Sequence, residues 1–147
     1  MPLQGDYAPS SAKWVRDQVE EIESSGGERG TLLRGVPVIV ITSVGSESGK
    51  LRKNPVMRVE HGGEYAIVAS KGGTPENPEW FHNLVAHPGE VTIQDGPEPF
   101  AVTVREVTGD EKKEWWERAV AAYPPYAEYQ QNTNRQIPVF IASPAGA

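Results

Sequence analysis

The segments VPVIVITS (residues 36–43), GSESG (45–49), LRKNPVMRVE (51–60), HGG (61–63) and YAIVAS (65–70) decide the fold class. Three runs rich in β-branched residues are separated by short turns containing glycine, the pattern of strands joined as hairpins. Pro55 interrupts the second run. Proline has no N–H for a sheet ladder, so this strand belongs at an edge or carries a bulge.

Toward the C-terminus the alternation continues. Lys71–Pro75 reads as a loop, and Pro78 opens a short helix through His87 with Trp80, Phe81, Leu84 and Val85 inward. Glu90–Asp95, Phe100–Val107 and Ile137–Ala142 read as three further strands. Thr108-Gly109-Asp110-Glu111 has the form of a capping box. It precedes a helix carrying Trp115, Trp116, Ala119 and Val120, which Pro124-Pro125 ends. Tyr126 to about Gln131 reads as one more turn of helix. Toward the N-terminus, an apolar stripe of Trp14, Val15, Val19 and Ile22 places a helix at about 10–23, capped by Ser10 or Ser11. Glu20, Glu21 and Glu23 lie near its C-terminal end, where the helix dipole disfavours anions, so packing must hold it. Residues 1–9 read as loose. The expectation is a mainly β fold with flanking helices, a partly antiparallel barrel of about six strands. Regular strand–helix–strand alternation is missing, which speaks against a doubly wound sheet.

With 147 residues the chain has the length of a single domain, residues 1–147, and 37% apolar and 23% charged residues describe a globular composition. Cysteine is absent, which removes disulfides, thiolate metal sites and cysteine nucleophiles together. His61, His82 and His87 lack metal-ligand spacing, so no metal is expected. Neither a phosphate-binding GxxxxGK[ST] nor a dinucleotide GxGxxG is present. Gly45-Ser46-Glu47-Ser48-Gly49 is no nucleophile elbow, because its middle residue is Glu. The net charge of −6 argues against nucleic acid. Residues 46–71 are nevertheless net positive, through Lys50, Arg52, Lys53, Arg58 and Lys71, which suits a small anionic ligand. No apolar run is long enough to span a bilayer and no signal-peptide pattern opens the chain, so a cytoplasmic protein is expected. The acidic face of the first helix allows at most peripheral contact with the inner face of the plasma membrane.

Four constellations carry chemistry. Lys50–Pro55 beside the glycine turn can neutralise a phosphate, or can be a solvated hairpin end. Ala69-Ser70-Lys71-Gly72-Gly73 offers a hydroxyl, an amine and backbone N–H groups, or is a plain loop. Asn83 follows Trp80 by three residues, and its amide can reach a ligand or cap a strand. Tyr123, Tyr126 and Tyr129 recur every three residues and can line a pocket or cap the core.

Taken together, Ser48-Gly49, Arg52–Met57, Val68–Gly73, Asn77–Trp80, Asn83-Leu84 and Tyr123-Pro124 with Tyr126 and Tyr129 resemble the deazaflavin-dependent nitroreductase family. The resemblance runs from about Trp14 to Pro144. It implies a split β-barrel and binding of coenzyme F-420, an 8-hydroxy-5-deazaflavin with an anionic tail. On it, Ser46, Glu47, Ser48, Arg52 and Lys53 hold the phosphate and tail. Asn54, Pro55, Val56 and Met57 run along the ring, Val68, Ala69, Ser70 and Lys71 face it, and Glu79, Trp80, Phe81, His82 and Asn83 close over it. Tyr126 sits by the ring as the catalytic candidate, with Tyr123 and Tyr129 on the substrate side. The chain departs from the family's Gly-Arg-Lys-Ser-Gly turn by carrying Ser46-Glu47 where two cations are usual. The function implied is hydride transfer from reduced F-420 to a quinone, enone or nitro-type acceptor. An FMN enzyme on the same barrel and a non-enzymatic cofactor binder are the alternatives. Oligomeric state is left open by the sequence.

Overall fold

The computed structural model describes residues 5–145. The chain runs through α1 (Lys13–Ser24), β1 (Leu32–Leu33), β2 (Val36–Val44), β3 (Leu51–Met57), β4 (Glu60–His61) and β5 (Glu64–Val68). A 3-10 turn (Lys71–Gly73), α2 (Glu79–Ala86), β6 (Val91–Gln94), β7 (Pro99–Glu106), α3 (Gly109–Ala122), α4 (Pro125–Gln131) and β8 (Val139–Pro144) follow. All strand pairs are antiparallel, in the order β1-β2-β6-β7-β8-β5-β4, with β3 paired to β2. The sheet curls into a half-barrel with the helices around it. Of the eight strands, six are longer, and β1 and β4 are two-residue ladders.

The period of two along β2 explains how the helices are placed. Ile39 and Ile41 face a core shared with Val56 and Leu84 of α2. Val38 and Val40 face the other way, onto Val15, Val19 and Ile22 of α1. A third core lies under α3 and α4, where Trp115, Ala119, Tyr123 and Tyr126 meet Ile137, Val139 and Ile141.

Strand β3 is the open edge that Pro55 requires. Its ladder to β2 runs from Leu51 opposite Val44 to Met57 opposite Val38. The bonding parity is readable from its ends. Leu51 bonds outward, donating to Asp6 O at 2.7 Å and accepting from Ala8 N at 2.9 Å, while Arg58 N donates inward to Pro37 O at 2.9 Å. Main-chain groups of one residue point the same way and alternate along the strand. Lys53, Pro55 and Met57 therefore turn their main-chain polar groups to the free edge.

Several expectations are corrected. Residues 6–8 are not loose, since they pair with Leu51; residues 1–4 lie outside the described residues. The first helix is capped by Ala12 rather than Ser10 or Ser11, without a side-chain cap bond on the helix. Ser10 Oγ instead accepts from Ala12 N at 3.1 Å. Trp14 leaves the expected stripe and is 56% exposed, as is Val85, because each points away from the sheet its helix covers. The acidic end of α1 is held by packing and by Lys53, whose Nζ lies 2.6 Å from Glu23 Oε2. The capping box does not form. Thr108 occupies the N-cap position without a side-chain bond. The Glu111 carboxylate is instead held by both Arg105 nitrogens, at 2.8 and 2.6 Å, a charged fork that outcompetes a backbone N–H.

The buried Tyr65 donates to Asp95 Oδ2 at 2.6 Å, and Arg58 Nε donates to the same oxygen at 2.9 Å. Burial, then the bond to Asp95, pushes the Tyr65 phenol up to about 12. A raised folded-state value means stability is full below the unfolded tyrosine value, about 10, and declines as pH rises toward the folded one. Stability is expected to fall between pH 10 and 12. Tyr65→Phe should cost about 1.5–3 kcal/mol at neutral pH and flatten that alkaline loss, as urea unfolding at a series of pH values will show.

Candidate functional site

A cleft of about 1180 Å³ opens along the free edge of β3. Its floor is Asn54, Pro55, Val56 and Met57 of β3 with Val68 of β5. The turn after β2 supplies Gly45, Ser46, Glu47 and Ser48 at one end, beside Arg52. Ser70 and Lys71 stand on the 3-10 turn, and Glu79, Trp80, His82 and Asn83 of α2 form one wall. Tyr123, Tyr126 and Tyr129 form another. Eighteen of the twenty-one sequence-predicted site residues meet here.

Lys53, Ala69 and Phe81 are not brought to the cleft. Neighbouring residues of a strand face opposite ways, so Arg52 takes the cleft face and the Lys53 side chain goes to Glu23 and over the Tyr7 ring, 4.8 Å from its centroid. Lys53 reaches the open edge with its main chain alone. Ala69 is fully buried. Phe81 packs on Phe140, ring centroids 5.6 Å apart.

Asn83 resolves one open alternative. Its Oδ1 accepts from Ser46 N at 2.9 Å, and its Nδ2 donates to Ser43 Oγ at 3.3 Å. It is buried, and it ties α2 to the end of β2, which fixes the glycine turn. Ser48 Oγ accepts from Lys50 N at 3.1 Å within that turn. Glu47 is exposed. Arg52 forms no ion pair among the described residues, whereas Lys71 lies 3.9 Å from Glu76.

The turn bearing Lys71 is shaped from outside. Lys71 has φ +45, uncommon for a side-chain-bearing residue. Arg135 holds this turn. Its Nε donates to Thr74 O at 2.8 Å, Nη1 to Ala69 O at 3.1 Å and Asn77 Oδ1 at 2.8 Å, and Nη2 to Ser70 O at 2.6 Å. Gly73 lets α4 approach: a Cβ there would lie 2.6 Å from Tyr129 O. Its N–H donates to Ser70 O at 2.9 Å, so it serves the turn and does not face a ligand.

Tyr126 is buried among aromatic rings, 5.0 Å from Tyr123 and 6.2 Å from Trp116 by centroid. Burial, reinforced by Tyr123 and Tyr129, pushes its hydroxyl well above the usual tyrosine range. It is a neutral phenol across ordinary pH. No hydrogen bond to its oxygen is made among the described residues, and no buried side-chain polar atom lacks a partner, so this oxygen faces the cleft.

Ser10, Ser11, Trp14, Val15, Leu33, Arg34 and Pro78 also line the cleft and were missed by sequence reasoning. Trp14 and Val15 sat in the α1 stripe but were assigned wholly to packing. Arg34 carried one signal, its place before a glycine between two apolar strands. It has φ +52 in the β1–β2 turn.

The sequence model of the F420H(2)-dependent quinone reductase family matches residues 14–144. The chain belongs to that family. An F420H(2)-dependent quinone reductase of Mycobacterium tuberculosis is 35% identical over 108 residues, 71% of this chain and 72% of its own. A solved F420-H2-dependent reductase is 52% identical with a TM-score of 0.69, covering 73% of this chain and 94% of its own. A second solved structure, described as a domain-swapped dimer, is 48% identical with a TM-score of 0.71 over 91% of this chain and all of its own. The deazaflavin assignment read from the sequence stands; the nitroreductase label gives way to quinone reductase. The family's cofactor is F-420, which sets the FMN alternative aside.

The cleft fits such a group. A hollow of about 1180 Å³ lined by Pro55, Val56, Met57, Val68 and Trp80, with Arg52 making no ion pair among the described residues, suits a planar heterocycle with an anionic tail. Arg135→Lys keeps the charge but cannot fork to four oxygens. It is expected to lower unfolding stability by about 1.5–3 kcal/mol at unchanged m-value in urea, and to weaken F-420 binding in a direct titration.

Proposed function

We propose that this protein reduces a quinone with reduced F-420, binding both in the cleft along β3. The observation that carries this reading is the placement of Tyr126. A buried neutral phenol with no partner in the described protein opens into a cleft whose far end carries Arg52.

When bound, reduced F-420 supplies the hydride. Arg52 neutralises the anionic tail, with the Ser46 and Ser48 hydroxyls and Lys71 as further contacts. Asn54 to Met57 lie under the ring, and the main-chain groups of Pro55 and Met57 meet its polar edge. Val68, Ser70 and Trp80 complete the ring's surroundings, while Glu79, His82 and Asn83 shape the wall over it. Tyr126 donates to an oxygen of the acceptor, which holds that oxygen in place and supports the charge it gains. Tyr123 and Tyr129 bound the acceptor's side. Holding two reactants in one hollow removes much of the entropic barrier, so no covalent step by the protein is required. Lys53 contributes by its ion pair with Glu23, which anchors α1 against β3.

Part of the cleft rim is apolar. Trp14 lines the cleft and is 56% exposed, and Leu32, beside the lining residue Leu33, is 61% exposed. Such a rim suits a lipophilic quinone presented at a membrane surface. No helix among the described residues is long and apolar enough to cross a membrane.

Titration with F-420, then mixing of reduced F-420 and menadione with the protein, tests the reading. Saturable binding with turnover supports it. Tight binding with no turnover across a quinone panel would replace it with a cofactor carrier. Arg52→Ala is expected to weaken F-420 binding by about 1–2 kcal/mol at low salt and by less at high salt. Tyr126→Phe is expected to lower kcat about tenfold to a hundredfold while F-420 affinity holds, as stopped-flow and equilibrium titration will separate.

A further inference from the structure

The turn between β1 and β2 reaches across the cleft mouth to the tyrosines. Arg34 Nη1 donates to Tyr129 Oη at 3.1 Å and to Tyr123 Oη at 3.3 Å, and the two phenol oxygens are 2.9 Å apart. Residues 34 and 129 are far apart in sequence, so this contact is a product of the fold. Arg34 holds a left-handed backbone, φ +52, uncommon for a residue with a side chain, next to Gly35 at φ +79.

Donor counting gives the cluster a direction. A guanidinium only donates, and each phenol carries one proton. Arg34 occupies an acceptor position on both oxygens. One phenol proton lies in the bond between the two oxygens, so one remains. Either oxygen can be the donor in that bond, and the other phenol keeps its proton for the cleft, which both tyrosines line. The cluster therefore offers one phenol O–H and the free guanidinium N–H groups as donors.

Resting on the quinone-reductase reading above, we propose that Arg34 is a positioning residue for the acceptor. It polarises Tyr123 and Tyr129 so that their remaining O–H points into the cleft, and it thereby selects ligands that offer a carbonyl or similar acceptor-only oxygen. Its positive charge also favours negative charge growing on that oxygen. The groups acting on Tyr129 are Arg34 from the β1–β2 turn and Tyr123 from the end of α3, with Tyr126 of α4 packed edge-on at 6.2 Å. Burial and the Tyr123 bond raise the Tyr129 phenol, and Arg34 opposes them.

Two measurements on the full-length chain test this, with Arg34→Gln and Arg34→Lys. The first is ultraviolet titration of tyrosine ionisation, with circular dichroism to confirm the fold at each pH. The second is steady-state reduction of menadione by reduced F-420, with F-420 affinity measured separately. Arg34→Gln is expected to raise the ionisation midpoint of Tyr129, whose phenol Arg34 holds down. It should raise the KM for menadione on the order of tenfold and leave F-420 affinity within about twofold. Arg34→Lys, which keeps the cation, should fall between it and the parent in both. An unchanged midpoint together with an unchanged KM in Arg34→Gln overturns the inference. A loss of F-420 affinity as large as the loss for menadione overturns it too, by assigning Arg34 to the cofactor. If the parent chain binds F-420 but never reduces menadione, the quinone reading fails, and the tyrosine midpoint still judges the cluster.

Discussion

The guanidinium of Arg135 holds the carbonyls of Ala69, Ser70 and Thr74 and the amide oxygen of Asn77. Four acceptors that would otherwise face one another are gathered around one positive charge. The turn that results places Ser70 and Lys71 in the cleft, and Gly73 presses against the main chain of Tyr129. Gln130 closes the same knot, donating to Arg135 O at 2.8 Å and accepting from Ile137 N at 3.0 Å. One side chain thus sets the cleft wall at Ser70 and Lys71 and the seat of the tyrosine helix together.

Much of this was legible in the sequence because it follows from periodicity and backbone chemistry. Period two in β2 and in β5, Pro55 at an edge and the glycine turns fix the sheet, and the tyrosine spacing fixes one wall. What escaped is contact between residues distant in the chain. Arg135 lies in a polar connection without a motif, and nothing local says that its fork will meet residues 69–77. Arg34 is equally plain in sequence. The Thr108–Glu111 capping pattern misled because Arg105, on the preceding strand, takes the carboxylate. Lys53 was grouped with Arg52 by charge, although alternation along a strand separates them. Asn83 was singled out as a ligand contact or a strand cap, and the structure gives both ends of its amide to the protein.

In the reaction proposed for this cleft, phenols, a guanidinium and main-chain N–H groups would orient the acceptor and stabilise its charge without forming bonds to it. Such a site depends on geometry more than on any one reactive atom, which is why residues remote from the acceptor, such as Asn83 and Arg135, matter to it.

The free edge of β3 has a second consequence. A sheet edge is a template on which another strand can grow, and proteins blunt it with proline, short length or a cover. Here the arm at residues 6–8 covers the Leu51 end, and Pro55 removes one donor from the middle. The outward groups of Pro55 and Met57 lie where the cleft opens, so a ligand seated there would cover the part of the edge that the arm leaves bare.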